Sequence, residues 1–407
     1  MRLAIVHPYP VHRRAVGGTT RVYALVHHLA ARHEVHVFAH SHGRAEEEQQ
    51  AIRELGELGV VLRVFPRPPS SWLDKARWAV KRSPYFVNHN RNPALETTLA
   101  KLDRERGFDV VHVEFAFLEP LLEGLGDGCA RVLAEQELMS ISIDRLRGVA
   151  GRHKSAYERY IAFELPRIRS FEAAWLQRFD RLFGITDAEA ARMAEVSGRQ
   201  VEVLPHVVDT RVFTPGEAKP TRPSVLFVGN YEHKPNVEAA FWLMEQIWPV
   251  VRRQMLDATI RLVGPGLDAG HRAALERLGA EVAGRVEDLV GAYREAMVFA
   301  NPIRSGGGMR GKVLEAFACG VPVVSTTIGL EGVAARPGEH CERADEAEPF
   351  AAAVVRLLGD PSSRVAMAGR ARTLVSDRYD VRSVMERLEH AFEEAREVRR
   401  ARAGATA

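Results

Sequence analysis

The residues best suited to chemistry lie between Asn301 and Thr326, in NPIRSGGGMRGKVLEAFACGVPVVST. The pattern predicts a strand, a glycine-rich loop, a helix over Met309–Cys319, a turn at Cys319–Gly320 and then a buried strand. Gly306, Gly307 and Gly308 stand immediately before the helix. Lacking Cβ atoms, they let backbone N–H groups approach a ligand, and the start of a helix carries partial positive charge. Arg304, Arg310 and Lys312 add full charges at the same end. Together these groups form a cradle suited to a diphosphate. Glu315 lies seven residues beyond Gly308, about two helical turns, and so falls on nearly the same face. A carboxylate there can accept hydrogen bonds from two vicinal ribose hydroxyls. A glycine turn alone is a weak signal. Its coupling to three cations and a placed acid outweighs the reading as an ordinary loop with a surface glutamate.

Other candidates are less specific. Gly17 and Gly18 follow the first predicted strand and open a helix at Thr19, where a tight turn without a ligand is the stronger reading on the motif alone. His112 and Glu114 sit two residues apart at the end of the strand DVVHV and share one side of it. Either residue is nearly as well explained by a buried structural role as by a ligand contact. Glu135 and Glu137, after RVLA, are further candidates, whereas helix capping fully explains Thr186-Asp187.

The elements that must position these residues alternate along the chain. Predicted strands are Leu3–His7, Val35–Ala39, Val60–Phe65, Asp109–Val113, Arg131–Ala134 and Arg181–Thr186, followed by Ser224–Gly229, Thr259–Val263, Glu281–Ala283, Met297–Asn301 and Val321–Ser325. Several are rich in Val, Ile and Leu without polar alternation, as in strands covered on both faces. Helical patterns at Thr19–Ala31, Asn236–Leu256, His271–Leu278 and Met309–Cys319 lie between them. This predicts an α/β fold of parallel, doubly wound sheets. Leu204–Ser224 holds four prolines and no helical period, which divides the two series. The reading is a Rossmann-like N-terminal domain over 1–210, a linker over 211–223 and a Rossmann-like C-terminal domain over 224–378. A terminal helix over 379–407 is expected to pack back on the N-terminal domain, with one apolar stripe at Val384, Leu388, Ala391, Phe392 and Ala395.

Composition removes several classes. The chain has 407 residues, 46% hydrophobic and 27% charged, with a net charge of +3, which excludes a disordered or coiled-coil chain and argues against a nucleic-acid binder. Three scattered cysteines give no disulfide framework and point to a reducing compartment. The opening MRLAIVHPYP is too short an apolar run for a secretory signal or a membrane span, so a cytoplasmic location is expected. Residues 61–92 carry seven Arg or Lys against one acid, Asp74, with Trp72 and Trp78 interleaved. A solvated segment is the favoured reading, and peripheral contact with anionic lipid on the inner face of the membrane is the other. The sixteen histidines include no His-Glu-x-x-His, so no zinc site is expected. The sequence contains no Asp-x-Asp, no G-x-S-x-G, and no G-x-G-x-x-G after the first strand.

GGGMRGKVLEAFACGVPVVSTTIGLEG resembles the donor-binding segment of retaining GT-B glycosyltransferases of family 4, the glycosyl transferases group 1. Val225–Val251 is similar to the first strand, loop and helix of that family's C-terminal domain, and Leu204–Pro215 to its linker. The resemblance implies a sugar moved from a nucleoside-diphosphate sugar, UDP- or GDP-linked, to an acceptor hydroxyl of a saccharide, lipid-linked or small molecule. Retention by front-face attack would follow, without metal or cofactor, in cell-surface polysaccharide, glycolipid or glycoconjugate synthesis. On matching positions it implies donor contacts from Gly306, Gly307, Gly308, Met309, Glu315, Asn230, Lys234 and Val286. Arg304, Lys312 and Glu114 are implied at the reacting centre, with Gly17, Gly18 and His112 facing the acceptor or the diphosphate across a cleft. Gly307 stands where relatives carry the first of two glutamates, Asn230 where they carry an arginine, and Glu114 where they often carry a histidine. Arg304 and Lys312 are therefore expected to supply most of the diphosphate charge. Two other functions share this fold and ligand: a nucleotide-sugar epimerase, which needs no acceptor, and a non-catalytic sugar-nucleotide binder.

Overall fold

The computed structural model describes residues 1–12, 18–67, 84–149, 156–216, 220–306 and 308–406. The chain forms two compact units, one of Met1–Pro205 with Met385–Ala407 and one of His206–Val384.

The first unit holds a seven-stranded parallel sheet in the order β3-β2-β1-β4-β5-β6-β7. Its strands are β1 (Arg2–His7), β2 (Glu34–His40), β3 (Val61–Phe65), β4 (Val110–Glu114), β5 (Ala130–Glu135), β6 (Arg181–Gly184) and β7 (Glu202–Val203). Register is continuous across the centre, with Ile5 opposite both Val37 and His112. The apolar runs predicted from composition are the strands, and the central ones are almost wholly buried. The terminal helix Val381–Thr406 belongs to this unit from Met385 onward. Phe392 lies 5.6 Å from the His112 ring, and Glu389 pairs with Arg32 and His33 at 3.0 Å each. Arg399 and Arg400 reach Asp180 and Asp109 at 2.8 and 2.9 Å. Those two aspartates also accept from the backbone N–H groups of Arg131 and Arg2, so the helix is tied to the amino ends of the strands.

The second unit holds a six-stranded parallel sheet in the order β10-β9-β8-β11-β12-β13. Here β8 is Ser224–Val228, β9 Thr259–Val263, β10 Glu281–Gly284, β11 Val298–Asn301, β12 Val323–Ser325 and β13 Glu342–Arg343. Val225 and Phe227 enter one hydrophobic cluster, whereas Leu226 enters another that also holds Phe317 and Tyr293. Successive side chains on a strand point to opposite faces, so both faces of the sheet are covered and the fold is a doubly wound α/β unit.

Two differences from the sequence reading have local causes. The helix predicted over Asn236–Leu256 divides into Lys234–Trp242 and Trp248–Gln254, joined by a wide turn over Leu243–Ile247. Pro249 has no N–H to continue the regular ladder, so the spacing widens there. Strands β7 and β13 have two residues each, too few to carry a readable period in the sequence. Among the described residues no helix is long and apolar enough to cross a membrane. Most of the basic 61–92 segment, residues 68–83, lies outside the described residues.

Candidate functional site

In each sheet the strand order reverses between the first and fourth strands, and ligands of doubly wound folds bind at the carboxyl ends flanking that point. In the second unit those ends are β8 and β11.

After β8, Gly229 donates its N–H to the Val263 carbonyl at 2.9 Å, and Tyr231 donates to Pro265 at 2.8 Å. Gly264 makes this approach possible. Its φ is +137°, and a Cβ there would sit 1.7 Å from the Gly229 carbonyl oxygen. The loop leads into the helix Lys234–Trp242, and Asn236 turns back to donate Nδ2 to the Asn230 carbonyl at 2.7 Å. Asn230 Oδ1 accepts from the Glu232 N–H at 3.1 Å.

The loop after β11 is fixed at its base by a buried polar network. Asn301 Nδ2 donates to Ser325 Oγ at 3.0 Å and to the Gly329 carbonyl at 2.8 Å. Thr326 Oγ1 donates to the Ile303 carbonyl and accepts from the Gly329 N–H. The loop then runs backward along the Lys234–Trp242 helix. Arg304 stacks over the Trp242 ring at 4.4 Å, Ser305 Oγ donates to Glu238 at 3.1 Å, and Gly306 lies against Pro235. Gly306 and Gly308 have φ of +88° and +85°, the left-handed conformation that glycine adopts without a Cβ penalty. Arg310 Nη2 closes the loop on the Gly306 carbonyl at 2.9 Å.

Of the two arginines flanking the glycines, Arg310 and not Arg304 bonds the loop backbone. Arg304 sits at the last turn of the Lys234–Trp242 helix, roughly 12 Å along the axis from its first residue. Arg310, immediately before the Gly311–Ala318 helix, takes the place at the glycine loop. Lys234 is exposed and lies 3.8 Å from Glu238. Met309 and Val286 pack in the same apolar cluster as Val313 and Tyr293.

Lys312 Nζ donates to Asn236 Oδ1 at 2.7 Å and lies 4.8 Å over the Phe227 ring. Burial, reinforced by the Arg310 charge and partly opposed by Glu315, brings its ammonium down to about 7. A lysine whose charge is disfavoured in this way gains electrostatically when an anion comes beside it. Glu315 Oε2 accepts from the Tyr293 hydroxyl at 2.8 Å, and Oε1 has no hydrogen-bond partner among the described residues. Burial raises the Glu315 carboxyl, with the Tyr293 hydrogen bond and Lys312 acting against it. Asn236 and Tyr293 carry no local signal for these roles, because both partnerships form between separate strand–helix units.

In the first unit the corresponding ends are β1 and β4. Glu114, the last residue of β4, is fully buried and ion-paired with Arg21 of the Gly18–Ala30 helix. His112 Nε2 lies 2.9 Å from its other oxygen. Burial pushes this carboxyl up, but the Arg21 charge and the His112 hydrogen bond prevail and hold it at about 2. Burial lowers His7, the last residue of β1. Glu114, Arg21 and His112 therefore form an enclosed polar cluster at the carboxyl end of β4. Phe115, next in sequence, has φ of +84° and is the one non-glycine residue with positive φ among the described residues. Gly18 opens its helix, while Gly17 and Gly307 lie outside the described residues. Glu135 is buried and accepts from the Ala116 N–H at 2.6 Å. Thr186 caps its helix by accepting from the Glu189 N–H at 3.0 Å.

A family model described as Glycosyltransferase Family 4 matches residues 16–212, and one described as Glycosyl transferases group 1 matches residues 222–360. The chain is 27% identical over 322 residues to a GDP-mannose-dependent monoacylated alpha-(1-6)-phosphatidylinositol monomannoside mannosyltransferase of Corynebacterium glutamicum, covering 73% of this chain and 79% of the relative. An uncharacterized 44.6 kDa protein in the cps region of Klebsiella pneumoniae is 26% identical over 169 residues, 40% of this chain and only 44% of that relative. Anabaena Alr3699/HepE, solved with UDP-glucose, superposes with a TM-score of 0.65 at 13% identity, covering 97% of this chain and 100% of that one. That structural likeness speaks for the fold, and the two sequence models together span both units. The chain belongs to glycosyltransferase family 4 and has the GT-B fold of two Rossmann-like domains.

Proposed function

We propose that the protein transfers a sugar from a UDP- or GDP-sugar to an acceptor hydroxyl with retention of configuration and without a metal ion. The observation that carries this reading is the meeting of Arg310, Lys312, the Gly306 and Gly308 backbone and Glu315 at the carboxyl ends of β8 and β11. Lys312 and Arg310 neutralise the diphosphate as it departs, and Glu315 takes the ribose hydroxyls. The bond from the anomeric carbon to the diphosphate oxygen breaks as the acceptor oxygen bonds on the same face. The acceptor proton passes to the departing phosphate oxygen. Fixed cations and amides act here because they need no reorganisation as charge develops. A saccharide, lipid-linked or small-molecule acceptor in cell-surface glycan or glycolipid synthesis fits the relatives, one of which uses GDP-mannose while a structural neighbour binds UDP-glucose.

The test begins with thermal shifts against UDP, GDP, ADP and TDP, where a ligand at 100 times its Kd adds ~2.7 kcal/mol of stability. The matching sugar nucleotide is then incubated in EDTA, and the released sugar is followed by NMR. Slow hydrolysis with the donor's anomeric configuration kept is expected. An inverted product overturns retention, and restoration by divalent metal alone overturns metal independence. Epimerised donor makes the protein an isomerase, and indefinite binding without turnover makes it a binding protein.

A further inference from the structure

We infer that Tyr293 is a positioning residue for ribose recognition: its hydroxyl holds Glu315 so that one carboxylate oxygen, Oε1, is offered to the donor's vicinal hydroxyls. The inference rests on the reading of the glycine loop as a nucleoside-diphosphate site.

Tyr293 lies in the helix Leu289–Arg294, directly after the short segment 285–288 that follows β10. It is fully buried, with ring centroids 5.5 Å from Phe299 and 6.3 Å from Phe213. Its hydroxyl lies 2.8 Å from Glu315 Oε2 and 3.2 Å from the Lys312 carbonyl. Burial and the adjacent Glu315 charge drive the phenol far above its ordinary value, so it keeps its proton and donates it in the hydrogen bond to Glu315. Oε2 is thereby committed. Oε1 has no hydrogen-bond partner among the described residues, so a single acceptor is left for a ligand. A free glutamate on a helix samples three side-chain torsions. Tethered by one oxygen to a rigid, packed ring, it keeps the orientation that a ribose requires. The same hydroxyl joins two elements, the helix after β10 and the helix after β11.

The experiment compares binding of the nucleoside diphosphate that binds best with its 2′-deoxy and 3′-deoxy analogues, by calorimetry, for wild type and Tyr293→Phe. This substitution keeps the ring packing and removes only the donor. Wild type should prefer the ribonucleotide by roughly ten- to hundred-fold, the range for hydrogen bonds to a charged group. In Tyr293→Phe the preference should fall to about threefold or less, in keeping with a neutral or mobile partner. The decline of that preference on acidification should also move to higher pH, because the carboxylate has lost the donor that stabilises its charge. A Tyr293→Phe protein that melts earlier but keeps both the preference and its pH profile shows a structural tyrosine and overturns the proposal. A wild type that binds ribo- and deoxyribonucleotides equally refutes the role of Glu315 itself. A wild type that binds no nucleotide overturns the underlying reading, and this inference with it.

Discussion

Lys312 offers the sharpest test of the electrostatics, because its environment fixes both the sign and the size of a pH effect. Burial first and then Arg310 bring its ammonium down to about 7. A diphosphate charge ~4 Å away interacts by ~4 kcal/mol at an effective dielectric of ~20, enough to raise the bound lysine by ~3 pKa units. Binding therefore takes up a proton above neutrality. Affinity is complete below pH 7 and declines as pH rises, tenfold per unit or ~1.4 kcal/mol, until the bound value near 10 is reached. From pH 7 to pH 9 the Kd should rise ~50-fold. The assay is calorimetry with an intact sugar nucleotide, whose diester diphosphate holds its charge throughout, in buffers of differing ionisation enthalpy. About 0.9 proton should be taken up at pH 8. Lys312→Arg, charged at every pH used, should flatten the profile, and Lys312→Ala should bind weakly at all pH values. Lys312→Ala should also lower turnover by ~10²–10³, the cost of removing one preorganised donor. A wild-type Kd constant from pH 6.5 to 9, with no proton uptake, refutes the argument.

The buried pair in the first unit should be structural in its response. Glu114→Gln leaves the Arg21 charge uncompensated and should cost ~3–5 kcal/mol in urea unfolding at pH 7, while the double variant Arg21→Met/Glu114→Leu should recover most of that loss. Because the folded Glu114 carboxyl is depressed from 4.5 to about 2, its stabilisation is present above pH 4.5 and disappears as pH falls toward 2, so wild type should lose more stability on acidification than Glu114→Gln. Equal stability of wild type and Glu114→Gln across that window contradicts the pairing. The glycines should separate clearly. Gly264→Ala places a Cβ 1.7 Å from a backbone carbonyl and should prevent folding, whereas Gly308→Ala meets nothing within 4 Å and should cost only ~1–2 kcal/mol for its φ of +85°. Similar melting temperatures for the two variants count against the backbone geometry described.

Much of this protein was legible without coordinates, because its signals are local. Apolar runs marked the central strands of both sheets, and unbroken hydrophobicity in Leu3–Val6 and Val225–Val228 marked them as covered on two sides. Lys312 and Glu315, three residues apart, had to share a helix face, and the glycines before them had to open a loop. What the sequence could not decide was which cation serves that loop. Arg304 and Arg310 flank the same glycines with the same charge, and only packing against Trp242 carries one away while the Gly306 carbonyl keeps the other. The partner of Glu114 is a helix residue 93 positions earlier, and the partner of Glu315 is a tyrosine 22 positions away in another strand–helix unit. Helical and strand periods are written by neighbours a few residues apart, whereas burial, ion pairing and the orientation of a carboxylate are set by whatever the tertiary fold brings beside them.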